Sequence, residues 1–119
     1  ESLSKGMHWL HFLHARRFNL RHGYQGHAFD ARFHARAIES EPHLYRALRY
    51  VALNPVVAGL CGDPAEWKWS SFAAVAGERD EHPFLAVGRV RALYGSTPKR
   101  GACEFAAAIR LSITDEMVT

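Results

Sequence analysis

Three shortages frame this chain of 119 residues. Cysteine occurs only at Cys61 and Cys103, with no CxxC or Cys/His spacing, so neither a disulfide framework nor a thiolate zinc site is indicated. Reduced, buried thiols in a cytoplasmic protein are the expectation. No apolar run approaches the ~18 residues of a membrane span, and no charged-then-apolar leader precedes a small-residue cleavage site, so no membrane association is expected. Acidic side chains are nearly missing from the first third: between Lys5 and Arg36 stand six Lys/Arg and only Asp30. The overall charge of +3 is modest, but only three of the fifteen basic residues are lysines. The other twelve are arginines, whose planar fork suits phosphate and base-edge contacts. The length is that of one domain with a single core. Glu1 stands where an initiator Met would, with a helix starting almost at once, so an upstream segment is expected.

The most distinctive stretch is Arg49-Tyr50-Val51-Ala52-Leu53-Asn54-Pro55-Val56-Val57-Ala58-Gly59-Leu60, followed by Trp67-Lys68-Trp69-Ser70-Ser71. Leu44, Leu48 and Val51 recur at helical spacing and predict an amphipathic helix begun by Ser40-Glu41-Pro42. Asn54 precedes a proline and is biased out of the helical region, which predicts a helix end near Leu53. A corner and a second short helix follow, with Asn54 as cap, Pro55 at its first position and Gly59 at a left-handed exit.

Before this stretch, Ser2 can cap a helix running to about Leu20. Leu3, Met7, Leu10, His14 and Phe18 lie on one side of it and Trp9 and Phe12 opposite, which predicts a helix packed between a sheet and further helices. Arg21 to Gly26 form a polar glycine turn. From Phe29 the period switches to two, predicting one clear strand at about residues 28–38 that stacks Arg32, His34 and Arg36 in a row about 7 Å apart. Such a row can follow a phosphate backbone. It is equally the solvated face of a half-exposed strand, and the two readings stand level.

After it, Asp63-Pro64-Ala65-Glu66 is a capping-box pattern. Ser70 or Ser71 can cap a helix from Phe72 to Ala76. Two further helices are expected, one near Phe84 to Tyr94 with Val87, Val90 and Tyr94 together. The other, capped by Thr97-Pro98, brings Phe105, Ile109 and Ile113 together and frays beyond Thr114.

The chemistry offered by these residues is mixed. His8, His11 and His14 fan over about 120° of helix surface with no Cys, Asp or Glu beside them, a poor first shell for a metal. His14, in the middle of an apolar stripe, is either a satisfied core histidine or a group aimed at a site. Trp67 and Trp69 are taken as core anchors rather than base-stacking platforms. Tyr24 and Gln25 in the glycine turn are better placed to touch a ligand.

Together these features resemble the REP-associated branch of the IS200-like tyrosine transposases, a single-strand HUH nuclease family of the Y1 type. The resemblance rests on Leu3-Ser4-Lys5-Gly6-Met7, on Phe18-Asn19-Leu20-Arg21-His22-Gly23, on Gly26-His27-Ala28-Phe29 and Ala31-Arg32-Phe33, and most of all on the Arg49–Leu60 stretch with Trp67–Ser71. It implies an α+β fold: a predominantly helical fragment of a ferredoxin-like HUH domain. Residues 1–80 would be the C-terminal part of that domain, with 81–119 a variable helical segment packed on it. It also implies action on single-stranded or hairpin DNA at repeated extragenic palindromes or transposon ends, through a tyrosine nucleophile and a divalent metal, Mg or Mn, held by a His-hydrophobic-His pair.

This chain departs from the family pattern at three places. The His-hydrophobic-His triplet is absent, so the metal is not expected on this fragment; the nucleophile position aligns with His14; and Val57 replaces a usual arginine. The expected function is therefore DNA binding of transposase type with impaired catalysis. Arg16, Arg17, Arg21, Tyr24, Arg32, His34, Arg36 and Arg49 are the candidate DNA contacts, with Arg46 beside them. Two alternatives are an active strand-transfer enzyme in which His14 or Tyr24 replaces the nucleophile, and an interaction module that binds no nucleic acid.

Overall fold

A computed structural model describes residues 2–117, with side chains through Thr114. The elements are α1 (Leu3–His22), α2 (Glu41–Val57), a single 3-10 turn (Pro64–Glu66), α3 (Phe72–Val75), α4 (Val87–Tyr94) and α5 (Pro98–Met117). No strand occurs among the described residues, and the expected α+β fold with a ferredoxin-like sheet is overturned: this is an all-helical chain. Residues 29–37 carry the alternating pattern of a strand, and the expected strand at about 28–38 does not form. A strand is stabilised by pairing its N–H and C=O groups with a neighbour, and no second segment here supplies them.

The chain forms two compact units, Glu1–Ala37 and Ile38–Thr119, so 81–119 belongs to the same unit as 38–80. The first unit consists of α1 and the segment after it. Ser2 starts α1 through its carbonyl, which accepts from the N–H groups of Lys5 and Gly6 at 3.0 and 3.2 Å, with no side-chain cap bond. The helix ends two residues beyond the expected Leu20, with Gly23 at its left-handed exit. No residue of α1 is buried, so the expected sandwiching between a sheet and further helices does not hold. The sheet it would have packed on does not form.

In the second unit, Ser40 Oγ accepts from the His43 N–H at 3.4 Å and starts α2 as expected. The expected corner at Asn54 does not exist. α2 runs through Pro55, whose missing N–H deprives only the Val51 carbonyl, on a turn where Val51 is 59% exposed and water can serve. The helix stops at Gly59 instead (φ 70°): the Leu60 N–H reaches back to the Pro55 carbonyl and the Gly59 N–H to that of Val56, both at 2.9 Å. This pair of bonds closes a helix only when the residue between them adopts a left-handed conformation.

α3 is the centre of the core. All four of its residues are buried, and Phe72 packs with Leu53, Val87, Phe105 and Ile109. The predicted internal faces of α4 and α5 both point here, Val87 with Val90 and Tyr94, and Phe105 and Ile109 with Ile113. α4 starts three residues later than expected because residues 82–85 form a turn closed by the Leu85 N–H on the His82 carbonyl at 2.9 Å. The fraying expected beyond Thr114 is not seen in the backbone up to Met117, and residues 118–119 lie outside the described residues.

Two features of α2 and the turn after it differ from expectation. The stripe Leu44, Leu48 and Val51 is not the buried face. That face is turned about one residue further and carries Ala52, Leu53 and Pro55, with the Tyr45 hydroxyl donating to the Leu93 carbonyl at 2.8 Å. The stripe lines an apolar groove of about 250 Å3 that reaches Phe72 and Phe105. Trp69, taken as a core anchor, is 76% exposed, while Trp67 is half-buried. The turn itself is built as expected: Asp63 Oδ1 accepts from the Ala65 N–H at 2.8 Å and Glu66 Oε2 from the Gly62 N–H at 3.0 Å.

Two arginines tie the second unit together. Arg91 donates to the Val75 and Ala74 carbonyls, both at 2.8 Å, and pairs with Glu81 at 2.8 Å. Arg110 forks onto both oxygens of Asp63 (2.7 and 3.0 Å) and both of Glu78 (2.8 and 3.0 Å), with its guanidinium 5.3 Å from the Phe72 ring centre. α4 and α5 meet through Gly101, where a Cβ would overlap the Arg91 carbonyl oxygen.

Gly101→Ala should therefore destabilise the second unit by about 1–3 kcal/mol in urea unfolding. Gly6→Ala is the control: a Cβ there meets nothing within 4 Å, so it should stabilise α1 slightly. Equal effects would show that the α4–α5 approach is not tight. The Arg110 guanidinium holds the Asp63 carboxyl below the usual carboxylate range, with burial opposing it. Its unfolded value is about 3.9. The stability it contributes is thus complete above about pH 4 and is lost as pH falls through the lower folded value. Asp63→Asn should flatten the acid limb of a plot of unfolding midpoint against pH, and an unchanged limb would refute the coupling.

Candidate nucleic-acid interface

On α1, residues 11, 14, 18 and 22 fall at three- and four-residue spacing and therefore on one face. The structure lines their rings up. His14 and Phe18 have ring centres 6.4 Å apart and planes 20° apart, and Phe18 and His22 are 4.5 Å apart. The segment after the helix folds back over this row. Phe29 lies 4.4 Å from His11, stacked at 21°, and 5.9 Å from His14. Tyr24 stacks on Phe18 at 5.8 Å and lies 6.3 Å from His22. The return is pinned at its start by the Asn19 side-chain amide, which donates to the Gly26 carbonyl at 3.0 Å. The result is a continuous ladder of six rings, with His14 as one of its middle members and exposed.

The alternation places Phe29 in a strand and gives no sign of its part in the ladder. The signal for it is the run of rings at positions 11, 14, 18 and 22 on one helix face, with Tyr24, Phe29 and Phe33 the Tyr and Phe residues of the next segment able to cover them.

The candidate cations are partly gathered here. At 100° per residue, Arg21 and Arg17 stand beside the ladder, roughly 80° and 120° round the helix from His11, whereas Arg16 lies on the far side. Arg32, His34 and Arg36 are exposed but are not held in the strand register that would have spaced them in a row. None of Arg16, Arg17, Arg21, Arg32 and Arg36 pairs with a carboxylate among the described residues. The first unit holds six Lys/Arg against Glu1 and Asp30, and the second nine against ten acids. The whole positive excess of the chain belongs to the first unit.

Arg49 lies in the second unit and is brought together with Arg46, Tyr50 and Asn54 along one face of α2, around a groove of about 530 Å3 floored by Leu53, Val57 and Ala58. Tyr50 is 69% exposed there. A divalent metal of the kind the family resemblance implies finds no matching donor set. Among the described residues no three His, Cys, Asp or Glu side chains come together as a first shell, and the ladder histidines face rings rather than carboxylates. Among the described residues no helix is long and apolar enough to cross a membrane.

Chemically, the first unit presents the edges and outer faces of a row of rings beside cations with few competing carboxylates, a combination suited to unpaired bases and their phosphates. No family model, curated protein or solved structure matches the chain.

Proposed function

We propose that the chain binds single-stranded or hairpin DNA through residues 1–37, as a cytoplasmic relative of the REP-associated transposases that keeps substrate contact and does not itself carry out strand transfer. The observation that carries this reading is the ring ladder of His11, His14, Phe18, His22, Tyr24 and Phe29, set in a unit whose arginines make no ion pair among the described residues. An unpaired base extends the ladder at its exposed rings, such as Tyr24 at 62% exposure, without regard to sequence, and the neighbouring arginines supply phosphate contacts. In this reading His14 is a stacking partner rather than a nucleophile, because its ring lies against Phe18 and Phe29 and no carboxylate orients it. Arg46 and Arg49 on α2 offer further phosphate contacts. No metal-dependent step belongs to this reading.

Binding of a hairpin oligonucleotide with a single-stranded tail should weaken linearly in log–log form as salt rises. The slope should be about −0.7 per phosphate neutralised on the single strand. Arg17→Ala/Arg21→Ala and Arg32→Ala/Arg36→Ala should each reduce that slope by about 1.4. A flat salt response, or no loss in either double variant, would overturn the reading.

Incubation with labelled single strand and Mg2+ or Mn2+ should leave no DNA covalently attached after denaturation. An adduct that disappears in His14→Ala would instead establish strand transfer with a substituted nucleophile.

A further inference from the structure

Trp69 is exposed over 76% of its surface although it stands two residues from half-buried Trp67 and three from fully buried Phe72. It is held outward on a stiff turn. The Ser70 N–H bonds the Trp67 carbonyl at 3.1 Å, the Phe72 N–H bonds Ser70 Oγ at 3.1 Å, and Arg79 Nη1 bonds the Lys68 carbonyl at 3.0 Å. The capping box precedes this turn and buried α3 follows it. A large ring on a pre-ordered base loses little freedom on binding.

Its surroundings are cationic. Lys68 Nζ lies 4.7 Å from the Trp69 ring centre, and Arg79 reaches across to the same turn. The acids that could cancel this charge are engaged elsewhere: Glu78 is forked by Arg110 and Glu81 is paired with Arg91. Asp80 is the carboxylate of that loop with no ion pair among the described residues.

We infer that Trp69, Lys68 and Arg79 form a second contact for single-stranded DNA, one nucleotide wide, with an unpaired base stacked on the free face of the indole and its phosphate held by the two cations. The inference rests on the DNA-binding reading above and adds a site in the second unit, specific for unpaired nucleotides. A paired stem offers its bases to neither face of an indole, whereas an unpaired base does. The site therefore distinguishes tail from stem.

The test uses the full chain with two probes, an oligo(dT) of about a dozen nucleotides and a blunt, fully paired hairpin whose loop is replaced by a non-nucleotide linker. Trp69→Ala should weaken oligo(dT) binding about fivefold or more and leave the blunt hairpin within about twofold. Trp69→Phe should retain most of the affinity while losing most of the tryptophan-fluorescence quenching that oligo(dT) causes, since Trp9 and Trp67 remain. Lys68→Ala should lower the salt slope for oligo(dT) by about 0.7. Circular dichroism of each variant should match the parent, because the ring is exposed. Unchanged oligo(dT) affinity and quenching in the Trp69 variants overturns this site and leaves the hairpin reading standing. Failure of both probes to bind the parent chain overturns both.

Discussion

A helix of four residues cannot satisfy its own carbonyls, and the second unit is arranged around burying one. α3 is as apolar as a core element can be, Phe-Ala-Ala-Val, and sits where α2, α4 and α5 converge. Its last carbonyls are therefore cut off from water and must be bonded by the protein. The N–H groups of Ala76, Gly77 and Glu78 take part of that load, and Arg91 takes the rest by donating to Ala74 and Val75. Once Arg91 is committed there, α4 is placed, and with it the Arg91 carbonyl against which Gly101 of α5 must fit. Arg110, one face of α5 further on, closes the same end of α3 through Glu78 and ties it to the 3-10 turn through Asp63. The desolvation of these charges is offset by the number and geometry of their hydrogen bonds.

The two units use the same residue type for opposite ends. In the second, Arg91 and Arg110 are anchored to backbone carbonyls or carboxylates. In the first, arginines face water beside exposed rings and a nearly acid-free sequence. An arginine used as a strut is a poor phosphate ligand because its donors are filled, and an arginine left in water has donors to give. Charge counts over the whole chain average this contrast away. The net +3 conceals one unit with an excess of cations and another slightly acidic.

Much of the second unit was legible in the sequence because its signals are local. The Ser40 cap, the Asp63–Glu66 capping box and the internal faces of α4 and α5 follow from spacing alone. The errors arose where a local preference met a tertiary fact. Asn54-Pro55 carries a strong bias against helix, yet the helix passes because the one lost hydrogen bond falls on an exposed turn. Phe29 to Ala37 alternate like a strand, but alternation states only which residues would share a face, not whether a partner exists to pair with. In the candidate interface, Tyr24 and Arg21 were legible as turn and last-turn residues, and His14 as a polar group on an apolar stripe. The ladder itself depends on Phe29 returning across α1, which no periodicity encodes.

The fork of Arg110 onto Asp63 spans 47 residues, and the bond from the Tyr45 hydroxyl to the Leu93 carbonyl spans 48. During synthesis these contacts impose an order of events. α2, the capping box and α3 leave the ribosome long before the side chains that complete them, and until α5 has emerged the apolar ring of Phe72 has no Phe105 or Ile109 to cover it. The second unit therefore cannot close before Phe105, Ile109 and Arg110 of α5 have emerged. Residues 1–37 emerge before the second unit, and the ring contacts from His11 to Phe29 need nothing beyond them, so the ladder can take shape first.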